Sequence, residues 1–500
     1  MHDNQQVDVL FVVSPTNARE SYMPFYYLYL AGYLEKYGFK VEISNPHEAR
    51  FKDNLAIILG DVQRFRPRFV GLAAFVTDYA VLVDLAERIR QVYGGTIMVG
   101  NAHASISPED FLYAGSPFDL VVRGEGELTV REILEAHRSD GDNHHIKGIA
   151  YHQDGRIVQT PNRELMDLSE CGMPAYHKID MSWYAQPRKV IIRRLATVGA
   201  IIYIGRGCPF QCTFCASNSV WQANDRVPGR PPIRKRPMSH VIEDLRILQD
   251  RYKFDFFYIL DDTFGIEEKD IVDFCRAYLE SGLKMLWGAE TVVRRIQTEP
   301  IIKLLKESGC IQLDLGVETG SARLLKAIKK NNSLEEIIRA FDLCRKHGMR
   351  TQANILLNLP TETEEDLVST MRLLKRIRPT YIVISCTQPY PGTEVFRNLN
   401  RPIAREEYHE LSRLSPPEKF RLCSHRKDLQ KLTFSWMLRY GNVTPIEISF
   451  FRADWRYWNH LWHSPHRWRY LTYLLLENAK LPLRFLVEVG RYFRSRMSAR

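Results

Sequence analysis

No apolar stretch of this 500-residue chain reaches membrane-spanning length without charges. The best candidate, residues 470–489, is interrupted by Glu477, Lys480, Pro482, Arg484 and Glu488. The start of the chain reads no better as a secretory leader: residues 1–8 are polar, and the apolar run 9–13 is too short. Cysteine is scarce, nine residues in all, and the count is odd. Without a secretion signal, that argues against a disulfide framework and for a reducing, cytoplasmic compartment. A structural zinc site wants a second, distant cysteine pair, and none is present. A dinucleotide fingerprint is incomplete as well. Gly124-Glu125-Gly126 opens a helical pattern, but Thr129 stands where a third glycine belongs, and the motif follows the last strand of its segment rather than the first.

What is present is ordinary globular composition, 45% hydrophobic and 26% charged, enough for two to four domains with ample core. The net charge of +10 is uneven: residues 451–500 hold ten Lys/Arg against three Asp/Glu, a local +7. Trp455, Trp458, Trp462 and Trp468 are half of the eight tryptophans. Interleaved Trp and Arg suit a packed helical cap whose cations reach water. A basic, aromatic tail could instead serve nucleic acid, an anionic membrane surface or an acidic substrate, and the packed cap is the favoured reading. No nucleic-acid partner is expected.

Apolar runs and helical patterns alternate along residues 7–140. Strands are predicted at 7–14, 41–45, 69–75, 96–100 and 120–123, and helices at 25–37, 55–65, 79–93, 108–114 and 127–138. This rhythm predicts a doubly wound parallel sheet, with ligands over the carboxyl ends of its strands. Residues 141–195 read as a linker with a hairpin around Asp154-Gly155. A second series spans 196–398, with strands at 200–205, 256–260, 285–289, 311–316, 351–357 and 381–385. Six units predict a partial (β/α)6 barrel of the TIM type, whose chemistry sits at the carboxyl ends of the strands. Residues 399–500 lose the rhythm and read as a mainly helical cap.

Cys208, Cys212 and Cys215 stand in a C-x3-C-x2-C loop just after the first of these six strands. A disulfide would strand the third cysteine. Three thiolates on so short a loop converge on one object, and a cubane cluster held by three leaves one iron open for chemistry. The other six cysteines (Cys171, Cys275, Cys310, Cys344, Cys386 and Cys423) are scattered, mostly in apolar segments.

The loop, with aromatic Phe214 before the third cysteine, and the six-unit barrel resemble the radical SAM superfamily. That resemblance implies a [4Fe–4S] cluster whose open iron chelates S-adenosylmethionine (SAM), and a 5′-deoxyadenosyl radical after reductive cleavage. Asp261-Asp262-Thr263-Phe264, Leu315-Gly316-Val317-Glu318-Thr319-Gly320, Leu357-Asn358-Leu359-Pro360 and Pro389-Tyr390-Pro391-Gly392 look like motifs of the subgroup with an N-terminal cobalamin-binding domain. On the SAM side the resemblance points to Phe214, Asp261, Asp262, Glu318, Asn358 and Tyr390. Asp261 and Asp262 read equally as a divalent-ion site or a helix cap. Asn358 departs from the glycine of many relatives. Residues 29–34, 71–73, 99–104 and 122–127 match the wording of the subgroup's B12 domain. Its cobalamin side is taken as Ser14, Phe75, Val76, Thr77, Asn101, His103, Gly124 and Glu125. Neither His47 nor His103 stands in a D-x-H-x-x-G motif, so no axial histidine is expected. The basic run Arg234-Lys235-Arg236 reads as a solvated or SAM-side loop.

The resemblance implies an enzyme with three cofactors, [4Fe–4S], SAM and cobalamin, and an external electron donor of the flavodoxin or ferredoxin type. The expected reaction is methylation of an unactivated sp3 carbon in a small or lipid-like substrate. Substrate is expected between the two sheets, with the C-terminal cap closing the sides. A cyclisation, oxidation or rearrangement without methyl transfer, of the tetrapyrrole cyclase kind, uses the same parts. A cobalamin sensor with a structural cluster is the non-enzymatic reading.

Overall fold

The computed structural model describes residues 6–15, 22–47, 51–139, 141–189, 191–192, 195–222, 224–225, 233–411, 422 and 455–479. Cys423, most of 412–454 and the basic segment 480–500 of the expected cap lie outside the described residues.

Five short apolar runs form a parallel sheet: β1 (Val9–Val12), β2 (Val41–Ser44), β3 (Phe69–Ala73), β4 (Thr96–Gly100) and β5 (Leu120–Val122). The strand order is β2-β1-β3-β4-β5, so the winding reverses between β1 and β3. Successive side chains of β1 point to opposite faces. Val9 and Phe11 join the core under helices Phe25–Lys36 and Gly126–Arg138, and Leu10 and Val12 join the core under Phe51–Phe65 and Tyr79–Val92. The hairpin expected inside a linker extends this sheet instead. Its strands β6 (Ile149–Gln153) and β7 (Arg156–Gln159) add antiparallel to the edge at β5, and Asp154 and Gly155 at the turn have φ of 49° and 74°. The helix expected at 108–114 starts earlier, as Asn101–Ile106, and Pro108–Asp110 forms only a 3-10 turn.

The second sheet has six parallel strands in chain order: Gly199–Ile202, Phe256–Phe264, Leu286–Thr291, Cys310–Glu318, Arg350–Leu357 and Tyr381–Cys386. The first and last do not pair, so the barrel is open. Ser333 and Thr363 close capping boxes at the starts of helices Leu334–Lys346 and Glu364–Ile377. One apolar core runs from the first sheet into the second through Met166, Leu168, Cys171, Tyr176 and Tyr184 of the connecting segment. That segment lies tight on helix Phe25–Lys36: a Cβ on Gly32 would sit 1.9 Å from the Met173 carbonyl oxygen.

Helices Trp455–His463 and Arg467–Ala479 do not close a cleft between the sheets. They plug the amino-terminal end of the barrel. The Tyr470 hydroxyl donates to Asp255 Oδ1 (2.7 Å) and accepts from the Val198 amide (2.6 Å). Ser464 donates to Asp255 Oδ2 (2.5 Å), and the Tyr457 hydroxyl donates to the Ala196 carbonyl (2.9 Å). All four acceptor or donor sites on the barrel precede or open its first two strands. Burial pushes the Asp255 carboxyl up to about 7 against these hydrogen bonds. Replacing Tyr470 with Phe strands Asp255 Oδ1 and the Val198 amide in the interior. The expected loss is about 1–3 kcal/mol of stability, read as a lowered denaturant midpoint.

Candidate active site at the junction of the two sheets

The cysteine loop leaves the carboxyl end of the first barrel strand and is held from beneath by the second. Asp261 accepts the amides of Ile204 (2.7 Å) and Gly205 (3.1 Å). Asp262 accepts the Gly207 amide (3.0 Å), the Ser217 hydroxyl (2.7 Å) and the Trp221 indole N–H (3.1 Å). Both carboxylates therefore position the loop around the sulfurs, and Asp262 also reaches the cavity described below. The three sulfurs lie close enough for charge on one to raise another's thiol pKa, as Cys208 does for Cys212, and Cys212 and Cys208 do for Cys215. Burial pushes the Cys212 thiol up, and the Lys330 ammonium opposes it. Among the described residues no three His, Cys, Asp or Glu side chains close on a single metal ion. Three thiols on one short loop are a donor set that a cluster takes at three separate corners. Phe214 turns away into a small apolar group with Leu324, Ile328 and Leu359.

Beside the sulfurs, the fourth strand ends in a bulge between Gly316 and Glu318. Glu318 is buried in the left-handed region, with φ of 63°. Such a conformation in a non-glycine residue is strained and concentrates at functional sites. Its carboxylate accepts from Lys330 Nζ at 2.8 Å. Gly316 makes room for that bond, since a Cβ there would lie 2.6 Å from Lys330 Nζ. Lys330 also feels Cys212 and Glu290, and this surplus of negative partners raises its pKa in spite of burial. An ammonium and a carboxylate side by side can bind the opposite charges of an amino-acid group. Lys330 escaped the sequence reading because only the fold brings residue 330 back beside residue 318.

Asn358 occupies the left-handed region (φ 61°), which explains the departure from glycine: asparagine is among the few residues that tolerate it. Its side chain donates to the Thr387 carbonyl (3.1 Å), and its amide donates to Glu362 (2.9 Å). Tyr390 packs against the outer core of the first sheet. Below the mouth, the barrel interior is polar. Arg350 donates to Gln312 (3.2 Å), Gln312 to Asp314 (2.9 Å), Tyr258 to Asp314 (2.9 Å) and Gln352 to Asn354 (2.8 Å). This ladder too was missed. Its signal is polar residues at every second position of two adjacent strands, 312/314 and 350/352/354.

A cavity of about 320 Å³ opens over the carboxyl ends of β1, β3, β4 and β5, at the reversal of strand order. Its other wall is the barrel: Tyr203, Gly205 and Arg206, which lead into the cysteine loop, with Trp221, Leu260 and Asp262. Asn101, Gly124 and Glu125 line it. Ser14, Phe75, Val76 and Thr77 do not. Phe75 meets Tyr26 of the cavity wall edge-on at 5.8 Å, Val76 packs on the outer core, and Ser14 Oγ is buried without a hydrogen-bond partner among the described residues. His103 lies behind the sheet, 2.9 Å from Asp110 and ringed by Tyr79, Phe111 and Tyr408. His47 stacks on Trp183 at 3.6 Å. Neither histidine lines the cavity.

The Gly124-Glu125-Gly126-Glu127 turn proves to be a latch between the sheets. Arg206 bonds Glu125 (2.8 Å) and Glu127 (2.6 Å), and Arg234 bonds Glu125 (2.8 Å). Burial raises the Glu125 carboxyl, but the two guanidiniums outweigh it and hold it below its usual range. Arg236 is also buried, on Asp244 (3.0 Å), whose carboxylate accepts from Tyr29 and Tyr176. The run 234–236 is thus no solvated loop: both arginines turn inward, and only Lys235 is exposed.

Residues 202–374 match the Radical SAM superfamily, and residues 16–134 match the B12 binding domain. The chain belongs to the radical SAM superfamily and carries a B12-binding domain. It is 28% identical to an uncharacterized methyltransferase of Pyrococcus horikoshii, over 71% of this chain and 75% of that one. It is 25% identical to the anaerobic magnesium-protoporphyrin IX monomethyl ester cyclase of Rubrivivax gelatinosus, over 79% of this chain and 69% of that one. Among solved structures it resembles the radical S-adenosylmethionine methyltransferase TsrM of Kitasatospora setae, determined with cobalamin and a [4Fe–4S] cluster (TM-score 0.61, 17% identity, 78% of this chain and 74% of that one). The radical SAM domain brings a [4Fe–4S] cluster and SAM, and the B12-binding domain brings cobalamin. The residues present fit these groups: three thiols on one loop, a Lys–Glu pair beside them, and a cavity at the crevice of the first sheet.

Two substitutions separate these parts. Cys212→Ala is expected to abolish iron and sulfide incorporation on anaerobic reconstitution while leaving cobalamin binding in place, measured by iron content and visible absorbance. Arg206→Met leaves Glu125 and Glu127 buried with too little positive charge. The expected cost is about 3–5 kcal/mol, read from urea unfolding.

Proposed function

We propose that the protein is a cobalamin-dependent radical SAM methyltransferase that methylates an unactivated sp3 carbon of a small or lipid-like molecule. The observation that carries this reading is the single cavity walled both by the crevice of the B12-binding sheet and by the residues leading into the cysteine loop. When bound, the cluster and SAM supply one-electron activation of a C–H bond, and cobalamin supplies a methyl group. In this reading Cys208, Cys212 and Cys215 hold the cluster, and Asp261 and Asp262 keep their loop in place. Glu318 takes the amino group of SAM and Lys330 its carboxylate. Asn358 fixes the backbone at the barrel mouth. Asn101, Gly124 and Glu125 form the cobalamin wall, with Phe75 beside it against Tyr26. Phe11, Tyr26, Tyr27, Leu72 and Val99 keep the cavity apolar, which keeps water from a reactive centre.

The proposal places the protein in the cytoplasm, where a flavodoxin- or ferredoxin-type donor supplies electrons. The described cysteines are free thiols, as a reducing compartment requires, and no helix among the described residues is long and apolar enough to cross a membrane. The likeness to the magnesium-protoporphyrin cyclase supports a second reading, in which the same parts act without methyl transfer.

Anaerobically reconstituted protein given cobalamin, SAM and a reductant is expected to release 5′-deoxyadenosine. With methyl-deuterated SAM, its product is expected to carry the label. An unlabelled product selects the cyclase-like reading, and no 5′-deoxyadenosine with any reductant overturns both.

A further inference from the structure

The two C-terminal helices are apolar on two faces, and the barrel uses only one. On Trp455–His463, Tyr457 and Leu461 are buried one helical turn apart. Trp455 and Trp462, seven residues apart and so on one stripe, point away from them and are 72% and 68% exposed. On Arg467–Ala479, Tyr470 is buried against Asp255, while Trp468, Leu471 and Leu475 form an outward stripe at i, i+3 and i+7, with Leu476 beside it. Trp468 and Leu475 are 68% and 72% exposed. Single exposed apolar side chains need no explanation, but two helical stripes of Trp and Leu do.

The segment that carries these helices is basic in sequence: from residue 455 to the last residue it holds nine Lys/Arg and two Asp/Glu, with six of the nine beyond the described residues. A groove of about 370 Å³ between the first helix and the barrel is lined by Lys284, Lys306, Arg456 and His463, with Glu307 and with His460, whose imidazole burial pushes down to about 4. Trp462 stands one residue before His463 at its edge. Exposed indoles flanked by cations match the boundary between headgroups and acyl chains, where an amphipathic ring is half wet and anionic phosphates neutralise the charge.

We propose that this helical pair is a docking surface for an anionic lipid bilayer. The geometry also fixes what docking does. The pair covers the amino-terminal end of the barrel, and the nine-residue strand Phe256–Phe264 separates it from the catalytic end by roughly 26 Å. The contact is therefore an anchor. It leaves the mouth of the cavity facing the aqueous side, open to substrate and to an electron-donor protein while the barrel base rests on the membrane.

The test uses the full chain and sedimentation with vesicles of phosphatidylcholine alone or mixed with phosphatidylglycerol. Wild-type protein is expected to pellet with the anionic vesicles only, less so as salt rises, with a blue shift of tryptophan fluorescence. The variant Trp462→Ser/Trp468→Ser/Leu475→Ser is expected to lose binding by about tenfold or more, since Trp and Leu burial supplies the apolar part of such contacts. Its thermal midpoint should match wild type, because the three side chains are exposed. Wild-type protein that stays in solution with both vesicles overturns the proposal, as does a variant that pellets as well as wild type. A wild-type dimer that the variant converts to monomer assigns the face to a second copy instead. A variant with a clearly lowered midpoint assigns it to another segment of the same chain.

Discussion

One buried guanidinium decides how the two halves of this protein meet. Arg206 stands two residues before the first cysteine of the cluster loop and ends on Glu125 and Glu127, in the last strand–helix turn of the B12-binding sheet. With Arg234 on the same Glu125, two cations face two carboxylates, all largely shielded from water. Such a group adds little to net stability, because desolvation consumes most of the Coulomb gain. What it supplies is registry. An ion pair at hydrogen-bond distance tolerates no slip, so the cysteine loop cannot shift against the B12 crevice without stranding a charge. The apolar core that runs through both sheets resists separation, and the latch fixes the relative position at which they are held.

The same constraint orders the loop itself. Its carboxyl-side neighbours Asp261 and Asp262 grip four of its N–H donors, and the Glu318–Lys330 pair stands beside Cys212. The loop is thus tied to the second barrel strand and to the other sheet, with the charged pair of the fourth strand standing beside it. Chemistry that moves a substrate atom between two cofactors demands that kind of fixed geometry, because effective concentration falls steeply with misplacement.

Much of this was legible in the sequence and some was not, for identifiable reasons. The barrel strands sit within a few residues of their expected positions, because continuous apolar runs such as Phe256-Phe257-Tyr258-Ile259 have no other use in a buried parallel sheet. The cysteine spacing and its place after the first strand carried the chemistry. The latch was hidden because Gly124-Glu125-Gly126-Glu127 is read locally as a phosphate turn or a helix start, and its arginine partners lie about eighty and a hundred and ten residues away. Arg234 and Arg236 looked like surface charge for the same reason. The C-terminal helices were expected beside the substrate because chain order does not say which end of a barrel a late segment reaches. A buried Asp255 waiting for Tyr470 and Ser464 settles that question, and it needs the fold to be seen.

The placement of polarity then follows a consistent logic. The barrel interior holds a ladder of amides, a carboxylate and a guanidinium hydrogen-bonded to one another. Its mouth carries the charged pair that would receive a zwitterionic cofactor. The cavity beyond it is walled mostly by aromatic rings, aliphatic chains and bare glycine backbone, with Asn101, Asp262 and the charges of the latch at its edges. Charges are strongest where dielectric is low, so a zwitterion is best oriented at the polar mouth. A reactive carbon centre needs the opposite, few abstractable or polar neighbours and no water. The change of character takes place across Asp262 and Trp221, which touch both the cysteine loop and the cavity. That boundary lets one protein orient a charged cofactor on one side and shelter a neutral reaction on the other.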